Sequence, residues 1–97
     1  MKREPDSNRF VFRAAHFYAL LEQQEYRCAL TGRELTPENT SAEHIIPLRK
    51  GGKHELANIF LVDDAVAKLK RYYSDEEVIL LAHELVAYAR KRAGEGA

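Results

Sequence analysis

Glu43 and His44 stand side by side in the run Ser41-Ala42-Glu43-His44-Ile45-Ile46-Pro47-Leu48, and a basic turn, Arg49-Lys50-Gly51-Gly52-Lys53, follows. His54 and Asn58 come next, and Lys68, Lys70 and Arg71 close the segment. This set suits phosphodiester hydrolysis, in which water must lose a proton to a base and charge on the phosphate must be met by a cation. A histidine supplies the base, because its unperturbed pKa of about 6.5 lies closest to working pH. A hard metal such as Mg²⁺ supplies the cation, held by one or two carboxylates or amides plus water and phosphate. In an extended strand, however, neighbouring side chains point to opposite faces. Glu43 and His44 can share one site only if the chain twists there or the metal sits at the strand edge.

Each piece alone has an ordinary explanation. An adjacent Glu-His is common in strands, Gly51-Gly52 is a flexible turn, Asn58 starts a strand, and Lys68, Lys70 and Arg71 make a solvated helix face. The order in which they occur carries the information.

Ninety-seven residues suffice for one domain with one modest core. Fifteen basic residues balance fifteen acidic ones, so a nucleic-acid partner would have to be met by a local basic patch. No stretch reaches the length of a membrane span, and the polar start lacks the apolar run of a secretory signal. Cys28 is the only cysteine, which excludes an internal disulfide and an all-cysteine zinc site. A single thiol and no signal point to the cytoplasm. Cys28 itself reads as a small buried apolar residue, with a catalytic thiol as the alternative.

The elements that must position these residues follow from periodicity and caps. Residues 1–7 are polar and expected to be disordered, and a single domain is expected over 8–97. Phe10, Ala14, Phe17, Leu20 and Leu21 predict a helix over about 8–24, with Ser7 or Asn8 as N-cap and His16 on it as an ordinary side chain. Tyr26 to Leu30 predicts a short strand, ended by a turn at Thr31-Gly32. Ser41 to Leu48 and Asn58 to Val62 predict two strands able to pair as a hairpin, with Pro47 at a strand end. Asp63-Asp64 caps a helix to about Tyr72, since carboxylates suit a helix N-terminus. Ser74-Asp75-Glu76-Glu77 is a capping box opening a helix over about 75–92. On that helix Val78, Leu81, Ala82, Leu85, Val86 and Ala89 form one stripe, and His83 stands to the side. The Tyr72-Tyr73 pair and this long helix offer either a dimer face or core.

Taken together, Arg27-Cys28-Ala29-Leu30-Thr31-Gly32, Glu43-His44-Ile45-Ile46-Pro47-Leu48, Lys50-Gly51-Gly52, His54, Asn58-Ile59 and Lys70 resemble the HNH endonucleases over roughly residues 26–72. The resemblance implies an α+β fold with a small ββα-metal core, a β-hairpin plus helix, flanked here by N- and C-terminal helices. It also implies one divalent ion, Mg²⁺ or Mn²⁺, and cleavage or nicking of DNA. His44 then matches the general base and Glu43 the acidic metal ligand, usually Asp. Asn58 matches the middle residue, whose amide ties down the loop between the strands and orients the base. Many members carry two cysteine pairs that bind structural zinc. Cys28 has Thr31 in its partner's place, and Asp63 and Val66 occupy the other two, so no structural zinc is expected.

The departure from the pattern is Ala67. It stands nine residues after Asn58, where the family places a His or Asn that ligates the metal. Either the position has been substituted to silence a nuclease, or this is a weakened member that binds without cutting. Asp63, one helical turn earlier, is a candidate substitute ligand. The resulting reading is an HNH-type DNA endonuclease domain impaired at Ala67, with Arg49, Lys50, Lys53, Lys68, Lys70 and Arg71 gripping phosphates without reading sequence. The alternatives are a non-catalytic nucleic-acid- or protein-binding module on the same scaffold, and a small helical interaction protein in which Glu43-His44 is incidental.

Overall fold

The computed structural model describes residues 9–95, so the expected disordered start and the capping roles of Ser7 and Asn8 lie outside the described residues. The fold is α+β: a two-stranded antiparallel hairpin with three helices. Helix α1 covers Ala14–Gln23, strand β1 Thr40–His44 and strand β2 Ile59–Asp63. Helix α2 covers Asp64–Lys70 and α3 covers Asp75–Glu95. Single 3₁₀ turns at Leu48–Lys50 and Leu56–Asn58 lie in the connection between the strands.

The hairpin pairs Thr40 with Asp63, Ala42 with Leu61, Glu43 with Phe60 and His44 with Ile59. Directly opposed residues in such a pair share a face. Ser41, Glu43, Phe60 and Val62 therefore look one way, and Thr40, Ala42, His44, Ile59, Leu61 and Asp63 the other. Leu61 and Val62 are both fully buried, so both faces of β2 are covered. They join Leu21, Cys28, Leu35, Val66 and Ala67 in one core, with Phe12, Phe17, Leu20, Leu30 and Phe60 packed around it. The outer edge of β2 is also satisfied. The Gln24 side chain, just past α1, accepts from Leu61 N at 2.9 Å and donates to Leu61 O at 3.0 Å, and Ala29 N donates to the same carbonyl at 3.1 Å.

Several elements differ from expectation, each for a physical reason. Helix α1 begins at Ala14 and not near residue 8. Residues before it lay aromatic rings over histidines, Phe10 against both His16 and His54, with centroids 5.2 and 5.3 Å apart. The Arg13 backbone N–H donates to His16 Nδ1 at 2.9 Å, so His16 closes the helix start. Tyr26 to Leu30 is a loop and not a strand, holding only the isolated bridge Arg27–Glu34. The left-handed backbone of Glu25 and Tyr26 turns the chain too sharply for a ladder, and Gln24 takes the edge instead. The expected turn at Thr31-Gly32 is present, with Gly32 at φ +75°. Strand β1 stops at His44 because the Asn58 amide captures the next backbone groups. Helix α2 stops at Lys70, where Arg71 turns off at φ 42°, ψ −107°.

The capping signals produce the helix starts they predict. Asp63 Oδ1 accepts from Ala65 N at 2.8 Å, and Glu77 Oε1 and Ser74 Oγ exchange bonds with each other's backbone N–H at 2.9 and 3.2 Å. The stripe on α3 behaves differently. Only Val78 is buried, and Leu81, Leu85 and Val86 are exposed, because α3 runs on past the body of the domain. Among the described residues, no helix is long and apolar enough to cross a membrane.

Candidate active site

Asn58 organises the loop that separates the two strands. It is buried, its Oδ1 accepts from Ile46 N at 2.9 Å, and its Nδ2 donates to Ile46 O at 3.0 Å and Lys53 O at 2.8 Å. Its own carbonyl accepts from Ile45 N at 2.8 Å. One side chain thus replaces the ladder at Ile46 and draws in the far side of the loop. Gly52 makes this closeness available, since a Cβ there would overlap the Ile46 carbonyl and crowd Asn58 Nδ2 at 3.0 Å. Gly51, at φ +93°, supplies the left-handed residue that turns the chain.

His44 is the last residue of β1, directly before this braced segment. Its Nε2 lies 3.0 Å from His54 Nδ1, so one ring donates and the other accepts. Burial, then the nearby His54 and the Lys70 ammonium, hold the His44 imidazole below its ordinary pKa and keep it neutral near pH 7. When Nε2 carries the proton and donates to His54, His44 Nδ1 keeps its lone pair and can accept a proton.

Glu43 faces the other side of the hairpin. There a cleft of about 350 Å³ is lined by Ser41, Glu43, Asp64, Ala67, Lys68 and Arg71, with Tyr72 at its end. An adjoining cleft of about 300 Å³ is bordered by Glu43, His44, Arg49, Arg71 and Tyr72. The strand end resolves the geometry: Glu43 and His44 point apart, yet both border the second cleft. Burial raises the Glu43 carboxyl above its ordinary pKa, and Lys70 and Arg71 pull against that rise.

Position 67 lies in the same cleft as Glu43, and Ala67 brings no donor atom there. Asp63 does not fill the gap. It sits on the opposite face of the hairpin from Glu43, caps α2, and pairs with Arg33 at 3.4 Å. Its neighbour Asp64 lines the cleft instead, where Asp64 Oδ1 accepts a hydrogen bond from the Ser41 hydroxyl. Among the described residues, no three His, Cys, Asp or Glu side chains gather into a metal-holding group. The residues present thus give one free carboxylate, one engaged carboxylate and an alanine, which falls short of the set the HNH resemblance implies.

The basic residues divide into different roles. Lys70 must be withdrawn from the phosphate-binding set, since it is fully buried. Its Nζ donates to His44 O at 2.8 Å, Tyr73 O at 3.0 Å and Ile45 O at 3.4 Å, stitching the end of β1 to the α2–α3 turn. Its charge is satisfied by carbonyls, and burial lowers its pKa. Arg49, Lys68 and Arg71 are exposed on the clefts, with the Arg49 guanidinium 4.7 Å from the Tyr72 ring centroid. Lys50 pairs with Glu77 at 3.1 Å, and Lys53 borders a separate groove beside Ile46 and Asn58.

In the sequence His54 shows only its place four residues before Asn58, and the fold brings its ring onto His44. The part played by Asp64 and Ser41 follows from strand register alone. Cys28 is buried, and its Sγ accepts from Asp63 N at 3.4 Å. Burial raises its pKa, but hydrogen bonds from Thr31 and the Asp63, Leu30 and Thr31 backbone outweigh that and leave it lowered. No model of a known protein family matches the chain, and no curated protein matches it in sequence.

Proposed function

We propose that this chain is an HNH-type, metal-dependent endonuclease domain that hydrolyses DNA phosphodiester bonds, with its activity impaired at Ala67. The observation that carries the reading is the shared cleft: Glu43 and position 67 line it together, and His44 stands at the end of the same strand, braced through Asn58. His44 takes the proton from the attacking water, and His54 sets its tautomer. Asn58 and Lys70 hold the backbone from His44 to Ile46 in place. Glu43 would be the remaining ligand for Mg²⁺ or Mn²⁺, whose charge would oppose that on the phosphate. Arg49, Lys68 and Arg71 hold the DNA backbone, and no sequence reading is assigned to them. The compartment proposed is the cytoplasm, where the lone Cys28 stays reduced.

The test is to restore the missing donor. Ala67→Asn or Ala67→His is expected to nick plasmid DNA with Mg²⁺ or Mn²⁺, and a further His44→Ala to abolish nicking. Intact plasmid with every divalent metal, from a variant that still folds, contradicts the enzyme reading.

One observation favours a second reading, a nucleic-acid-binding module without catalysis. Ala67 leaves the cleft short of ligands while its rim keeps Arg49, Lys68, Arg71 and the exposed Tyr72. On this reading the chain as it stands shifts DNA in a gel at low salt, and His44→Ala leaves the shift unchanged. Absence of any shift at low salt contradicts it.

A further inference from the structure

Helix α3 leaves the domain after Val78 with an apolar face that nothing among the described residues covers. Leu81, Leu85 and Tyr88 follow one another at three- and four-residue spacing, the seam of a helix made to pack lengthwise on another. Leu85 is 64% exposed and Tyr88 60%. With Glu84, Lys91 and Arg92 they line an open groove of about 600 Å³ along the helix. Burying such a run recovers roughly 25 cal/mol per Å² of apolar surface, so leaving it in water has a real cost.

The charges beside the seam select the partner. Glu84 stands on one flank of the seam, and Lys91 lies two turns further along the same flank. A parallel copy would set this flank against the opposite flank of its partner, Glu84 beside Ala89, and leave both charges without a partner. An antiparallel copy sets each Glu84 beside the other's Lys91, twice by symmetry. The same register places Leu85 opposite the second copy's Tyr88 and Leu81 opposite its Arg92. Arg92 already lies over its own Tyr88 at 5.4 Å, so its stem extends the apolar seam. On the other flank Ala82 falls opposite Ala89, and two small residues let the helices approach closely. Seam, charge flank and small flank agree on one register, centred beyond the last buried residue, so the two domain bodies point away from each other.

We infer that α3 is a self-association surface, pairing antiparallel with α3 of a second copy of this chain through Leu81, Leu85 and Tyr88, with Glu84–Lys91 pairs fixing the direction. The overlap runs from about residue 81 to 92, roughly 18 Å of helix. That is a small interface beside the ~1,600 Å² of a standard one, so the dimer is weak, with a dissociation constant on the order of micromolar or above. This inference does not rest on the endonuclease reading.

Sedimentation velocity of the whole chain at low salt, from about 10 to 500 µM, tests it. The parent chain is expected to shift from monomer to dimer across that range. Glu84→Lys and Lys91→Glu each replace two attractive pairs with repulsive ones and are expected to weaken the dimer by roughly tenfold or more. The double variant, carrying both changes, restores the pairing and should return to parental behaviour. These side chains are exposed, so circular dichroism should stay unchanged throughout. A parent chain that remains monomeric to 500 µM overturns the inference and leaves the face to another occupant. So does a dimer indifferent to both single charge reversals, or a double variant that stays monomeric.

Discussion

His44 Nε2 and His54 Nδ1 meet at 3.0 Å across the loop between the two strands, with the Phe10 ring tilted against the far imidazole. Only one proton fits between two ring nitrogens at this distance, so one imidazole donates and the other accepts. The pair is therefore a positional device: it fixes which nitrogen of His44 is free.

From this follows the first expectation. In an Ala67→Asn background that nicks DNA, His54→Ala should lower the rate roughly tenfold, about 1.4 kcal/mol, with little change in DNA affinity. His54→Gln, which keeps a hydrogen-bonding end near His44, should recover part of the loss. Single-turnover nicking alongside a binding isotherm separates the two effects.

Lys70 gives a prediction about stability. Lys70→Met keeps the stem but strips the ammonium from three carbonyls, two of them at His44 and Ile45. The expected cost is about 2–3 kcal/mol, a fall in Tm on the order of 10 °C. Thermal unfolding by circular dichroism measures it, and an unchanged Tm would show that the burial carries no such weight. Because Lys70 is not surface charge, Arg49, Lys68 and Arg71 set the salt dependence of any DNA binding, with a log–log slope of about −3.

Asn58 and Gly52 form one unit, so their variants should behave alike. Asn58→Ala leaves Ile46 N, Ile46 O and Lys53 O without their partner, and Gly52→Ala drives a methyl into the same place. Each should cost about 2–4 kcal/mol, and the double variant less than the sum, because both open the same loop. Urea denaturation of the three variants gives the coupling.

The start of α3 supplies the pH dependence. The Ser74 backbone, then Lys50, hold the Glu77 carboxyl below its ordinary value of 4.5. A lowered folded pKa means a contribution present above pH 4.5 and lost as pH falls through the folded value. The stability gap between parent and Glu77→Ala should therefore be widest near neutral pH and narrow below about pH 4.5. A gap that is constant with pH would show that the charge is not what matters there.

The parts legible in the sequence are those decided within a few residues. Ser74 and Glu77 close a capping box, and Asp63 caps α2, because such bonds span only two or three residues. The two strands follow from short apolar runs between turn residues, and the register that puts Glu43 opposite Phe60 fixes the faces. What could not be read depends on contacts distant in the chain. Lys70 looks like one more helix-face cation until three carbonyls from two other segments surround it. Phe10 fits a helical spacing, yet its ring is placed by His54, forty-four residues away. Asp63 and Glu43 seem able to share a site until pairing puts them on opposite faces. Helical periodicity on α3 reveals an apolar stripe but not what lies against it.

Glu43 and position 67 line one cleft, and a metal site there would lack a donor at Ala67. The decisive measurement is Mn²⁺ titrated into the Ala67→His protein, followed by paramagnetic broadening of backbone amide signals. A shared metal site requires broadening centred on residues 43, 64 and 67, at metal concentrations at least tenfold lower than the parent chain needs. Equal broadening in parent and variant, or broadening centred on Asp63 and Arg33 across the hairpin, would contradict it.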